Sequence, residues 1–156
     1  MICVEIPGIG PVRIQNVMFD FNGTIAADGR LLDGVGPAMN RLAPQLDFHV
    51  VTADTFGSVQ AQLGGVKTEV VCISNQDQDR KKLDVLNRIG ADTTMAVGNG
   101  VNDALMLKHA RLGVAVLGAE GMALPALMSA DVMIRHILDV FAFFEKPKRL
   151  ISTLRN

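Results

Sequence analysis

Residues 16–24 of the chain read NVMFDFNGT, and this stretch decides the fold. Residues 16–21 form a nearly continuous apolar run, which predicts a strand that is buried on both faces, as in a parallel sheet. The strand ends at Asp20, and Asn22-Gly23-Thr24 predicts a turn directly after it. Ligands of open parallel sheets bind outside the carboxyl ends of the strands. The stretch therefore predicts an α/β fold with a candidate functional residue at Asp20.

The rest of the chain alternates between strand and helix patterns. Strand-like runs occupy residues 47–52, 68–73, 94–98, 113–117 and 131–134, and helical patterns occupy residues 37–46, 56–63, 78–90, 102–110 and 120–129. This alternation predicts a doubly wound, Rossmann-like parallel sheet with helices on both faces. A β-hairpin is expected over residues 1–15 and helices over residues 135–156, and the length of 156 residues favours a single catalytic domain, 1–156.

The composition argues against two classes of partner. The net charge is -1, no basic patch is visible and Trp and Tyr are absent, so no nucleic acid is expected. No apolar run is long enough to span a bilayer and the N-terminus does not resemble a signal peptide, so no membrane is expected either. Cys3 and Cys72 lie in apolar strand-like runs without a CxxC companion. They predict buried thiols in a reducing compartment, and hence a cytoplasmic protein.

Four segments place polar residues at the predicted strand ends and at one helix start. They are Asp20 to Thr24, Thr52 to Asp54, Arg80 to Lys82, and Gly98 to Asp103. Taken singly, each has a simpler explanation: a turn, a cap on the next segment, a solvated helix face, and a turn followed by a helix N-cap. Because the carboxyl ends of parallel strands meet at one edge of the sheet, their occurrence together favours one shared site.

The chemistry that suits such a site is phosphoryl transfer through an aspartyl phosphate. A carboxylate at a strand end can attack phosphorus in line, and Mg²⁺ can neutralise the charge between the carboxylate and the phosphoryl oxygens. A threonine hydroxyl, the backbone amides of a glycine-containing turn and a lysine ammonium can hold the remaining oxygens.

The four segments, in this order, resemble the motifs of the haloacid dehalogenase (HAD) superfamily. The similarity covers about residues 17–134 and is greatest to the phosphorylation domain of P-type ATPases and to the small free-standing proteins called soluble P-type ATPases. It implies that Asp20 is the nucleophile and that Mg²⁺ is held by Asp20, the backbone carbonyl of Asn22 and the fourth motif. The residues that this resemblance implies for phosphate binding are Asn22, Gly23, Thr52, Ala53 and Lys82, with Lys81 as the alternative lysine; those implied for metal binding are Asp20, Asn22, Asn99 and Asp103.

Two positions depart from the family pattern. Asn22 stands where phosphatases of the superfamily carry the Asp that acts as general acid and base, and a carboxamide cannot transfer that proton. Asn99 stands where the pattern has an Asp that binds the metal, so Mg²⁺ binding should be weaker and Asp103 should carry more of it. Slow turnover is therefore expected.

The chain has no room for a cap domain. Only 31 residues separate Asp20 from Thr52, and only 29 separate Thr52 from Lys82. A flap hairpin over residues 24–32 fills part of the first interval. An uncapped site implies a large substrate or closure by a neighbouring subunit, and cap-less relatives such as deoxy-octulosonate 8-phosphate phosphatase form tetramers. A homo-oligomer, dimer or tetramer, is therefore possible. The N-terminal hairpin and a phenylalanine cluster (Phe141, Phe143, Phe144) are candidate interface elements, although ordinary packing is the preferred interpretation of that cluster.

The first hypothesis is a Mg²⁺-dependent phosphohydrolase or phosphotransferase that acts on a phosphorylated small molecule or macromolecule. The second is a regulatory module that binds phosphate or nucleotide and scarcely turns over, which the two asparagines motivate. ATP hydrolysis of the P-type ATPase kind ranks below both, because no nucleotide-binding domain is visible. The physiological substrate stays open.

Overall fold

The computed structural model describes residues 1–53 and 56–156, so Asp54 of the second segment lies outside the described residues. The strands are β1 (Ile2–Ile6), β2 (Gly10–Ile14), β3 (Asn16–Asp20), β4 (Ala26–Ala27), β5 (Arg30–Leu31), β6 (Asp47–Thr52), β7 (Glu69–Cys72), β8 (Thr94–Gly98), β9 (Leu112–Val116) and β10 (Val132–Ile134). The α-helices are α1 (Val35–Leu42), α2 (Phe56–Gln62), α3 (Gln78–Ile89), α4 (Ala104–His109), α5 (Leu124–Ser129), α6 (Leu138–Glu145) and α7 (Lys148–Leu154). Two short 3₁₀ helices span Ala91–Thr93 and Val101–Asp103.

Six strands form the central sheet, in the order β10-β9-β8-β3-β6-β7, and every neighbouring pair is parallel. The chain runs outward from β3 through β6 to β7, then returns to the other side of β3 and runs outward again through β8 to β10. The order therefore reverses between β3 and β8, which is where a crevice opens in sheets of this kind. The doubly wound parallel sheet predicted from the sequence is confirmed.

The central strand β3 is buried along its whole length because helices cover both faces of the sheet. Alternate side chains along it enter different clusters: Phe19 packs in the larger core, and Met18 packs on the opposite face. The ring of Phe19 lies 6.3 Å from that of Phe48 and 5.8 Å from that of Phe141. By the same alternation, Asp20 lies on the Met18 side, which is the side of α3.

Packing, not an exposed interface, explains the phenylalanine cluster. Phe141, Phe143 and Phe144 are all buried in the larger core, as the preferred interpretation had it. The predicted homo-oligomer stays a prediction.

The N-terminal hairpin forms as predicted, with β1 and β2 antiparallel. Its residues alternate between buried and exposed, and Val4 and Ile6 join the larger core. Cys3 lies on the other face of β1 and is exposed, and Cys72 is only partly buried. The prediction of two buried thiols was therefore wrong. The hairpin covers the core with one face only, which exposes Cys3, and Cys72 ends β7 at the edge of the central sheet.

The flap hairpin also forms, although its strands β4 and β5 have two residues each. Between β3 and β6 the chain holds only this flap and α1, so no cap domain is inserted there. The tip of the flap is tied to the loop after β9, where the backbone N–H of Asp28 donates to Glu120 at 2.8 Å. Among the described helices, none has the length and apolar character that a bilayer crossing requires.

Candidate functional site

The predicted strand ends meet at an open crevice of about 550 Å³ beside Asp20. The crevice lies at the carboxyl ends of β3, β6 and β8, on the side where the strand order reverses. Its remaining described lining consists of uncharged side chains and one glycine: Asn22, Thr52, Ala53, Asn75, Gln78, Asn99, Gly100 and Asn102.

Three charged side chains form a buried triad at the floor of this site. The ammonium of Lys82 donates to Asp20 Oδ1 and to Asp103 Oδ1, both at 2.6 Å. Lys82 and Asp103 are completely buried, whereas Asp20 keeps 8% of its surface exposed and lines the crevice. The solvated-face explanation is therefore wrong for Lys82. The triad holds two carboxylates and one ammonium, so it carries a net negative charge when all three groups are ionised.

This charge imbalance is visible in the pKa of Asp20. Burial raises it, the neighbouring Asp103 carboxylate raises it further, and Lys82 offsets only part of the effect, so the pKa rises from 3.8 to about 6. For Lys82, burial by itself would lower the pKa, but the two carboxylates outweigh burial and the pKa lies above its ordinary value of 10.5. Lys82 is therefore a permanently charged partner at neutral pH.

Thr24 brings the first and fourth segments together. Its hydroxyl lies 3.3 Å from Asp20 Oδ2 and 3.2 Å from Asn99 Oδ1, and its single hydrogen can serve only one of them at a time. The carboxamide nitrogen of Asn99 donates to the carbonyl of Gly121 at 3.0 Å, which fixes its oxygen toward Thr24. Asp20 and Asn99 thus present two neighbouring oxygens at the crevice.

Gly23 allows the turn after β3 to lie this close to the Asn99 side chain. Its φ is +77°, and a Cβ at this position would lie 2.3 Å from Asn99 Nδ2. Only glycine meets both conditions. Its own N–H donates to the carbonyl of Ala26 at 2.8 Å and so is engaged inside the turn.

Asp103 is turned away from the crevice. Its Oδ1 accepts from Lys82, and its Oδ2 accepts from the backbone N–H groups of Asn99 and Gly100 at 3.0 and 2.8 Å. Asp103 therefore holds the lysine and shapes the turn that carries Asn99. Gly98 is required here, because a Cβ would lie 2.5 Å from the Asp103 carboxyl group.

The remaining predicted residues divide into two groups. Thr52 is buried and lines the crevice together with Ala53 and the exposed Asn22. Lys81, the alternative lysine, does not contact Asp20; its ammonium donates to the Ser74 hydroxyl.

Sequence reasoning missed two residues of the lining, Asn75 and Gln78, and included Asn102 only as part of the fourth segment. Asn102 Nδ2 donates to Gln78 Oε1 at 2.6 Å, which joins the fourth segment to the start of α3. Gln78 lies one turn before Lys82 on that helix, so the helical spacing of four residues could have indicated that both face one site.

The oxygen atoms at the crevice suit Mg²⁺, which prefers oxygen ligands and usually keeps several waters. The Asp20 carboxylate and the Asn99 carboxamide oxygen both lie within hydrogen-bond distance of the Thr24 hydroxyl, and Asn22 lines the same crevice. No group of three or more His, Cys, Asp or Glu side chains that could hold a metal ion occurs among residues 1–53 and 56–156. The residues therefore fit a weakly held, largely hydrated ion rather than a closed metal cage.

A larger cavity of about 700 Å³ lies on the β9–β10 side of the turn. Its walls are mainly apolar, and Thr24, which contacts Asp20, is one of the residues that line it. Asp33, Arg135 and His136 line it, but no member of the triad does, so the smaller crevice beside Asp20 is the better candidate for chemistry.

Known proteins similar in sequence match only part of the chain. No family model matches it. An uncharacterised protein of Methanocaldococcus jannaschii is 39% identical over 62 residues, which are 40% of this chain and 67% of that protein, so the two belong to one family. Phospholipid-transporting ATPase 10 of Arabidopsis thaliana is 38% identical over 66 residues, which are 42% of this chain but only 5% of the ATPase.

Solved structures match over most of the chain. A protein of Streptomyces avermitilis, described as a HAD family hydrolase, superposes with a TM-score of 0.59 at 25% identity, over 77% of this chain and 75% of that one. The chain belongs to the haloacid dehalogenase superfamily. The HAD fold also relates it to the 3-deoxy-D-manno-octulosonate 8-phosphate phosphatase of Moraxella catarrhalis, a structure in complex with magnesium, phosphate and KDO. That match has a TM-score of 0.68 at 12% identity and covers 89% of this chain and 90% of that one, so it shows a shared HAD fold.

Proposed function

We propose that the protein is a Mg²⁺-dependent phosphohydrolase or phosphotransferase that forms an aspartyl phosphate on Asp20. The observation that carries the proposal is the position of this carboxylate. It lines an open crevice while the fully buried Lys82 ammonium lies 2.6 Å behind it. The HAD membership and the phosphatases that share the fold support the same reaction class.

In the first step, a carboxylate oxygen of Asp20 attacks phosphorus, a new P–O bond forms, and the bond to the leaving oxygen breaks. The Lys82 ammonium is within reach of phosphoryl oxygens bound to that carboxylate and stabilises their charge. Thr52 and the backbone amides of Asn22 and Ala53, at the same crevice, would hold the other oxygens. Gly23 contributes by its lack of a side chain, since its own N–H is engaged by Ala26.

Mg²⁺, when bound, neutralises charge between the carboxylate and the phosphoryl group. Asp20, the carbonyl of Asn22 and the oxygen of Asn99 would hold it. Asp103 supports this set from behind, because its carboxylate fixes the turn of Asn99 and pairs with Lys82.

In the second step, water attacks the aspartyl phosphate, releases phosphate and restores the Asp20 carboxylate. Asn22 can neither protonate the leaving oxygen of the first step nor take the proton of this water, so solvent must supply the one proton and accept the other. Loss of a positioned general acid and base costs about 10²–10⁴-fold in rate, which makes slow turnover the expected behaviour.

Turnover of p-nitrophenyl phosphate tests this proposal. Wild-type protein should release phosphate in the presence of Mg²⁺ and lose that activity on addition of EDTA. Asp20→Asn keeps the shape of the side chain and should abolish turnover. Turnover at the wild-type rate in this variant would overturn the proposal.

The two carboxamides at the site, Asn22 and Asn99, favour one second candidate, a phosphate- or nucleotide-binding module that is phosphorylated once and scarcely turns over. A single stoichiometric burst of product without further release would favour it, whereas rapid multiple turnover would exclude it.

A further inference from the structure

Besides Asn22 and Asn99, three described residues that line the crevice carry carboxamides, and hydrogen bonds connect the three. Asn102 Nδ2 donates to Gln78 Oε1 at 2.6 Å, and Gln78 Nε2 donates to the backbone carbonyl of Asn75 at 3.4 Å. We refer to Asn75, Gln78 and Asn102 as the carboxamide row. The two bonds orient the side-chain amides of Gln78 and Asn102, so these two are arranged before a ligand enters.

The carboxamide row retains unused hydrogen-bond donors and an unused acceptor. Each carboxamide has two N–H hydrogens, so Asn102 and Gln78 each retain one after the bonds within the row. Asn102 Oδ1 accepts no hydrogen bond from the described residues and lies beside Gly100 at the crevice. A hydroxyl group both donates and accepts, and so suits such a wall.

The charge of the crevice points in the same direction. Among the described residues that line it, Asp20 is the one ionisable group. Lys82, the cation of the triad, is fully buried and already paired with two carboxylates. A leaving group with its own carboxylate or phosphate would therefore find no cationic side chain to pair with among the described lining residues.

We infer that the substrate is a phosphomonoester whose leaving group is neutral and rich in hydroxyls, of the polyol class, and that the carboxamide row binds this leaving group. The inference rests on the proposed function and adds a substrate class to it. It also places nucleoside triphosphates, with their polyanionic leaving groups, among the poor substrates.

A matched pair of substrates tests the inference. Glucose 6-phosphate and 6-phosphogluconate carry the phosphate on the same carbon, and in the second a carboxylate at C1 replaces the hemiacetal. With Mg²⁺ present, kcat/KM for glucose 6-phosphate should exceed that for 6-phosphogluconate and for ATP by at least about tenfold. Equal or better use of 6-phosphogluconate or ATP would overturn the inference while leaving the phosphatase proposal intact.

A variant of the row tests the assignment to Gln78. Gln78→Leu should lower the ratio of kcat/KM for glucose 6-phosphate to that for p-nitrophenyl phosphate by about tenfold, as expected for lost neutral hydrogen bonds. Gln76→Leu makes the same change two residues away, outside the crevice lining, and should keep the wild-type ratio. An unchanged ratio in Gln78→Leu would refute the role of the row.

Ligand-induced shifts of the melting temperature separate this inference from the proposed function. Glucose 6-phosphate should raise the melting temperature more than 6-phosphogluconate does at equal concentration, whether or not either is hydrolysed. The opposite order, or no difference, would overturn the inference. Absence of turnover together with the expected order would instead count against the phosphatase proposal alone.

Discussion

Replacing Asp20 by asparagine should stabilise the protein at neutral pH, although it should remove activity. The folded protein raises the pKa of Asp20 from 3.8 to about 6 through burial and the Asp103 carboxylate, against the pull of Lys82. A raised pKa means that the folded state favours the protonated carboxyl. The contribution of the protonated Asp20 carboxyl group to stability is therefore complete below pH 3.8 and is lost as the pH rises through about 6.

The size of the effect follows from that difference. Each pKa unit corresponds to about 1.36 kcal/mol, so ionisation of Asp20 lowers the free energy of unfolding by about 3 kcal/mol above pH 6. Asparagine carries no such cost, and its amide can donate to Thr24 while its oxygen accepts from Lys82. For a protein of this size the gain amounts to about 6–12 °C in melting temperature.

Urea unfolding between pH 4 and pH 8, with EDTA present, measures this prediction. The free energy of unfolding of Asp20→Asn relative to wild type should rise by about 2–2.5 kcal/mol across this range, since part of the effect is already present at pH 4, and should level off above about pH 7. Asp84→Asn changes an exposed carboxylate on α3, the helix that carries Lys82, and should follow wild type. A stability difference that does not change with pH, or a less stable Asp20→Asn at pH 7, would refute the reasoning about the triad.

The other predictions concern the remaining site residues. Asn22→Asp restores a group that can transfer protons and should raise turnover of p-nitrophenyl phosphate by about 10²-fold or more; an unchanged rate would show that proton transfer does not limit turnover. Asn99→Asp should lower the Mg²⁺ concentration for half-maximal activity, because it adds a charged ligand, and should cost about 1–3 kcal/mol without Mg²⁺, because the Gly121 carbonyl loses its donor. Lys82→Met leaves two buried carboxylates without a cation and should destabilise the protein by about 3–5 kcal/mol in urea unfolding; wild-type stability would contradict the burial of the triad.

The strands could be predicted from the sequence because the sheet is buried on both faces, and such strands are nearly continuous apolar runs. The predicted strand at residues 47–52 coincides with β6. Helix ends were less accurate, because caps and prolines act locally. The helix predicted from residue 37 begins at Val35, with Pro37 in its first turn, and the one predicted from residue 120 begins only at Leu124.

The candidate site could be predicted as a set of strand ends but not as a set of contacts. Motif order brought Asp20, Thr52 and Asn99 to one crevice, and the buried positions Lys82, Val85 and Leu86 of α3 carry the helical spacing that separates Lys82 from Lys81. The direction of a carboxylate is different, because it depends on which donors reach it in space. Asp103 is an example: its carboxylate accepts from Lys82 and from the backbone of the preceding turn, contacts that the sequence did not indicate, and its role near the metal stays a prediction.

The most direct test of the account is to look for the phosphoryl group on Asp20. Wild-type protein would be mixed with p-nitrophenyl phosphate and Mg²⁺, quenched in acid before the slow second step, and digested for peptide mass spectrometry. The account predicts one phosphoryl group per chain, on the peptide that contains Asp20, which hydroxylamine removes and which Asp20→Asn lacks. Phosphate release without any covalent phosphoprotein, or a phosphoryl group on another residue, would contradict it.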